Sequence, residues 1–203
     1  EGIIFMLKQI EQLKKTKIKK QIDQKLKELE KNDPFNELCF CILTANSTAQ
    51  RCIDVQQKVG NGFSTLSPEQ LTKKLKDSSC RFYNKRSSYI IEARKHKKQL
   101  LTNLKTMQEK ELREWLITNI KGLGWKESSH FLRNIGYKDS AIIDFHILDI
   151  LEKNKIIKKP KTLNKTNYLN IENKLRKLSK KLNLNLAQLD FYLWYLETGK
   201  ILK

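Results

Sequence analysis

The sequence has no long hydrophobic run. Its most apolar stretches, residues 37–45 and 191–196, fall far short of the roughly 20 residues that cross a bilayer. The apolar opening at residues 2–7 has no basic segment before it and no small-residue cleavage site after it, so it is not expected to be a secretory leader. Glycine (7) and proline (3) are scarce in 203 residues, and no extended alternating pattern is present, which argues against strands. Cysteine is confined to Cys39, Cys41, Cys52 and Cys80, with no C-x-x-C pair and no His/Cys group at zinc spacing. Cys39 and Cys41 sit inside an apolar run and read as small core side chains. A disulfide scaffold is not expected in a chain this long, and a reducing, intracellular compartment is. The C-terminal third holds no cysteine, which excludes an iron–sulfur cluster there.

Acidic residues are also few. Lys+Arg is 41 against 22 Asp+Glu, a formal net charge of +19. Such an excess predicts a polyanionic partner, with nucleic acid first. A lysine-rich composition that merely solvates the surface is the alternative. Hydrophobic residues make up 39% of the chain, enough to build a core.

What remains is rich in helix formers and predicts an all-α protein. Residues 3–29 carry Ile10, Leu13, Ile18, Ile22, Leu26 and Leu29 near helical spacing and read as one helix, stopped at Asn32-Asp33-Pro34. Residues 35–45 read as a buried central helix, and residues 48–59 as a helix closed by Gly60. Ser67-Pro68-Glu69-Gln70 is a helix start with a capping pair. Further helices are expected at residues 87–103, 107–120, 125–135, 141–151, 166–182 and 186–197, with a lysine-rich loop over residues 152–165. The charged stretches at residues 14–27 and 174–181 keep apolar periodicity and read as solvated helix faces.

The chemistry concentrates in residues 116–136, LITNIKGLGWKESSHFLRNIG. Gly122 and Gly124 allow a tight turn with amides unshielded by side chains. The helix start that follows adds orphan N–H groups and a positive dipole end. Together these form a hairpin suited to a DNA phosphate and blind to sequence; an ordinary helix connection is the plainer reading. Lys126 lies in the first turn after the hairpin. A helix N-terminus disfavours an ammonium, and a partly buried amine there can serve as a nucleophile. Eighteen residues further on, Asp144 stands among apolar neighbours in AIIDFHIL. It is costly to bury without a partner and also suits the cap of a helix starting at Phe145.

Hairpin, lysine and aspartate in this order resemble the helix–hairpin–helix DNA glycosylase superfamily, in which the lysine marks members with strand-nicking activity. Nearly the whole chain resembles the archaeal-type 8-oxoguanine DNA glycosylase/AP lyases, the second structural class of that enzyme. The matching pieces are LTANSTA (residues 43–49), RFYNKRSSYI (81–90), the hairpin with Lys126, the Asp144 segment, FYLWYL (191–196) and the ending GKILK (199–203). The resemblance implies a two-lobed helical fold with a DNA-facing cleft, one lobe being residues 1–33 with 140–203 and the other 34–139. It implies that Lys126 attacks the sugar C1′ and forms a Schiff base, and that Asp144 offsets positive charge on the sugar and helps activate the amine. Lys203 would help recognise the oxidised guanine. Trp194 would stack on the extruded base, with Phe82 as a second wall; core packing is the alternative for both. Asn46 would fill the gap left in the duplex, or act as a helix cap. The family's hairpin implies a monovalent cation on backbone carbonyls; no other cofactor or metal is expected, and no iron–sulfur cluster. The partner implied is double-stranded DNA containing 8-oxoguanine, met by a monomer without a membrane. His130 and His146 are expected to pack or face solvent. Three other readings stay open: a glycosylase for another damaged base, a non-catalytic helix–hairpin–helix module, and a lysine-rich RNA-binding or ribosome-associated protein.

Overall fold

A computed structural model describes residues 2–203, and among them all regular structure is helical. The chain divides into two compact units: Asn32–Ile135, and the residues through Lys31 together with Gly136–Lys203. The expected boundaries were 33/34 and 139/140.

The hairpin unit is built around α3 (Pro34–Thr44). Asp33 caps it by accepting from the Asn36 N–H at 2.8 Å, and Pro34 opens its first turn. Every residue from Glu37 to Thr44 is buried. The buried Glu37 carboxylate is satisfied by Gln56 Nε2 and Asn134 Nδ2, each at 3.1 Å, which ties α3 to α4 (Ala49–Val59) and α10 (Trp125–Asn134). The remaining helices are a single turn α5 (Gly62–Thr65), α6 (Pro68–Asp77), α7 (Tyr83–Ala93), α8 (Lys97–Thr106) and α9 (Glu109–Asn119). Ser67 and Gln70 form the expected capping box at the start of α6.

The terminal unit holds α1 (Gly2–Leu13), α2 (Lys17–Leu29), α11 (Phe145–Lys153), α12 (Lys165–Lys181) and α13 (Leu186–Thr198). The last of these is its centre, packed against each of the other four.

Four sequence expectations need correction. The single helix over residues 3–29 is two, because Thr16 caps a new helix by accepting from the Ile18 N–H at 3.2 Å. The helix expected over 87–103 begins at Tyr83 and is interrupted by a 3-10 turn at Arg94–His96. The short α5 was not anticipated. Residues 141–143 are not helical. Their backbone is drawn to α12 instead: Glu172 accepts from the Ala141 N–H at 2.8 Å, and the Tyr168 hydroxyl accepts from the Ile143 N–H at 3.2 Å and donates to the Ala141 carbonyl. This extended strap delivers Asp144 to the start of α11.

Candidate active site

In the hairpin unit, α9 ends at Asn119 and the Leu123 N–H closes the turn on the Ile120 carbonyl at 3.2 Å. Gly122 has φ +88°, and a Cβ there would stand 2.7 Å from Tyr89 Cδ2, so both conformation and space require glycine. Gly124 has φ −97° and ψ −161°, which any residue adopts. Its N–H donates to Glu127 Oε2 at 3.1 Å. The expectation of unshielded amides at both glycines is therefore corrected at Gly124, whose amide a carboxylate already holds.

Lys126 sits in the first turn of α10 with its side chain 29% exposed and its Nζ 3.5 Å from Glu127 Oε1. Its charge reaches the thiol of Cys52. Burial pushes that thiol up, while a hydrogen bond from Ser47 and the charges of Arg86, Lys126 and Arg51 pull the other way.

Asn46 and Phe82 are both left-handed, at φ +55° and +54°. For asparagine this suits the turn closed by the Ser47 N–H on the Thr44 carbonyl at 3.2 Å; for phenylalanine it is rare. Two arginines flank both residues. Arg81 donates to the Asn46 carbonyl at 2.7 Å, and the buried Arg86 donates to the carbonyls of Ile42, at 2.9 Å, and Ala45. Both guanidinium groups lie over the Phe82 ring, at 5.2 and 5.7 Å from its centroid. Phe82 is 52% exposed, so core packing is overturned for it. Asn46 is not a helix cap either; Thr48 caps α4, accepting from the Arg51 N–H at 3.4 Å. Glu127, Arg81 and Arg86 escaped the sequence reading. Only Glu127 left a signal there, a carboxylate at the third position of a helix start.

In the terminal unit, Asp144 is the N-cap of α11, its Oδ1 accepting from the Ile147 N–H at 2.9 Å. Two residues on, exposed His146 packs edge-to-face against Trp194, with ring centroids 4.6 Å apart at 88°. Trp194 is partly exposed, and its Nε1 is buried without a hydrogen-bond partner. Gly199, at φ +69°, ends α13 and turns the chain into the tail. Ile201, Leu202 and Lys203 are half-buried, so the terminus is not a fully exposed end. His130 packs edge-to-face on Phe40 in the hairpin unit, at 5.6 Å. Among the described residues, no group of three or more His, Cys, Asp or Glu could hold a metal. Among the same residues, no helix is long and apolar enough to cross a membrane.

The sequence profile of the 8-oxoguanine DNA glycosylase family, of the helix–hairpin–helix type, matches residues 13–184. The chain belongs to the 8-oxoguanine DNA glycosylase family. It is 50% identical over 209 residues to the 8-oxoguanine DNA glycosylase/AP lyase of Methanocaldococcus jannaschii, covering 98% of this chain and 100% of that protein. It is 43% identical to the protein of the same name from Korarchaeum cryptofilum, over the full length of both. The fold is likewise that of the glycosylase family. The crystal structure of the M. jannaschii enzyme in complex with a 15mer DNA containing 8-oxoguanine superposes with a TM-score of 0.94, over 98% of this chain and 100% of that one.

Proposed function

We propose that this family member flips 8-oxoguanine out of duplex DNA, excises it through a Schiff base on Lys126, and then nicks the strand. The observation that carries the reading is the place of Lys126: a half-shielded amine in the first turn of the helix that follows the glycine hairpin. The Lys126 amine attacks C1′, a C1′–Nζ bond forms and the bond from C1′ to the base breaks. The base leaves with the electron pair and takes up a proton. Opening of the sugar gives the C1′=Nζ Schiff base. Loss of a C2′ proton then expels the 3′ phosphate, which cuts the strand by β-elimination.

Asp144 offsets the positive charge that develops on the sugar, the kind of stabilisation aimed at a transition state rather than a ground state. Trp194 and Phe82 offer aromatic faces to the extruded base, which any base accepts through its π-face. Lys203 reads the oxidised guanine, and Asn46, exposed at its turn, fills the gap in the duplex. The turn at Gly122 and Gly124 approaches a phosphate. A monovalent cation on the hairpin's carbonyls belongs to the same reading; neutral backbone oxygens suit a hard cation, and its charge would draw the phosphate. The chemistry uses no other cofactor. The same reading has the chain act as a monomer.

A gel of a labelled duplex with one 8-oxoguanine opposite cytosine tests the activity. Cleavage without alkali, leaving a β-elimination end, is the expected result. Base release that needs alkali to reveal it would remove the lyase step. An intact strand despite salt-sensitive binding would leave a non-catalytic module or a glycosylase for another lesion.

A further inference from the structure

Glu127 makes two contacts with one carboxylate. Oε2 accepts from the Gly124 N–H at 3.1 Å, and Oε1 stands 3.5 Å from Lys126 Nζ. Adjacent side chains on a helix normally diverge and do not face each other. These two meet because Glu127 turns back toward the helix start, where Gly124 fixes its other oxygen. The Glu127 side chain is 13% exposed and that of Lys126 29%, so solvent and salt screen the pair less than an exposed one. Gly124 completes the arrangement. Its backbone angles do not call for glycine, but a Cβ there would stand 3.2 Å from Glu127 Oε2. Glycine leaves the carboxylate room to reach the amide.

We propose that Glu127 is a positioning residue for Lys126: anchored on the Gly124 amide, its carboxylate holds the lysine amine at the hairpin and so sets where the nucleophile starts. The proposal rests on the reading of Lys126 as nucleophile. A lysine side chain is long and flexible, and a reacting group misplaced by about 1 Å loses on the order of 100-fold in rate. At 3.5 Å the contact is longer than a good hydrogen bond, so it tethers the amine without locking it away from C1′. The plainer role for Glu127 is to cap α10 and nothing more.

Glu127→Gln separates the two roles. A glutamine oxygen still accepts from the Gly124 N–H, so the cap survives while the charge that holds Lys126 is gone. Wild type, Glu127→Gln, Glu127→Ala and Lys126→Gln are compared for three things: single-turnover release of 8-oxoguanine, affinity for a duplex carrying an uncleavable abasic-site analogue, and thermal melting. Glu127→Gln is expected to lose about tenfold or more in single-turnover rate with its melting point within about 2 °C of wild type and its affinity not weakened. Glu127→Ala should show the same rate loss and a lower melting point. A wild-type rate in Glu127→Gln would overturn the proposal and leave only a cap. So would a rate loss matched by weaker binding, which would make Glu127 a DNA contact. If Lys126→Gln releases the base as fast as wild type, the nucleophile reading itself fails and the proposal falls with it. That result is read from Lys126→Gln alone, apart from any Glu127 variant.

Discussion

Asp144 joins a structural task to a chemical one. Its Oδ1 caps α11, and a cap tolerates any side chain that keeps a well-placed oxygen. Offsetting charge on a sugar requires the full negative charge. Asp144→Asn is therefore expected to change stability by no more than about 0.5 kcal/mol, while single-turnover base release falls about 100-fold or more. Thermal melting and a quenched time course check the two halves separately. Its candidacy was legible because a carboxylate among so many apolar residues calls for a reason. Phe82 and Asn46 were legible only as residue types. Arg81 and Arg86 reach the chain at Ile42, Ala45 and Asn46 from 35 to 44 residues away, and no local pattern announces such a reach.

Among the elements, the helix starts at Pro34, Pro68 and Trp125 were the most legible, since each carries a local signal: Asp33 before Pro34, Ser67 with Gln70, and the glycine turn before Trp125. The break at Lys14–Thr16 was hidden by apolar residues on both sides. Its trace is a five-residue step from Leu13 to Ile18, where a continuous helix face steps by three or four. The strap at residues 140–144 was illegible, because apolar content alone does not separate buried helix from buried extended chain. Tyr168 and Glu172, from a helix further along the chain, decide it. Tyr168→Phe strands the Ile143 N–H, and is expected to destabilise by about 1–3 kcal/mol. Because the strap sets the start of α11, the same variant is expected to slow base release while leaving Lys126 and its hairpin untouched. Melting and single-turnover assays on one preparation check both effects.

For the whole molecule, the +19 charge was legible at once and indicated a polyanion without naming the lesion. Cys39 and Cys41 were legible as core thiols from their apolar run and are buried, whereas the burial of Cys80, which lies in no such run, and of Tyr192, which is not set apart within one, was not. Burial pushes the Cys80 thiol to about 11 and the Tyr192 phenol to about 12, with the Cys52 thiol acting further on the first and the Asp23 and Glu11 carboxylates on the second. Both groups stay neutral in the fold, whereas unfolded cysteine and tyrosine ionise from ordinary values of 9.0 and 10.0. Alkali therefore favours the unfolded chain. These two groups add almost no pH dependence below about pH 8, and from there to about pH 12 they should make stability fall, first through Cys80 and then Tyr192. Chemical denaturation followed across that range checks this.

Everything proposed for the chemistry turns on a covalent bond between Lys126 and the sugar. Borohydride trapping on a duplex with 8-oxoguanine opposite cytosine, followed by peptide mass spectrometry, tests it most directly. The expected result is a cross-linked band whose adduct maps to Lys126 and which is missing from Lys126→Gln. A band of equal strength in that variant, or an adduct on another lysine, would contradict it.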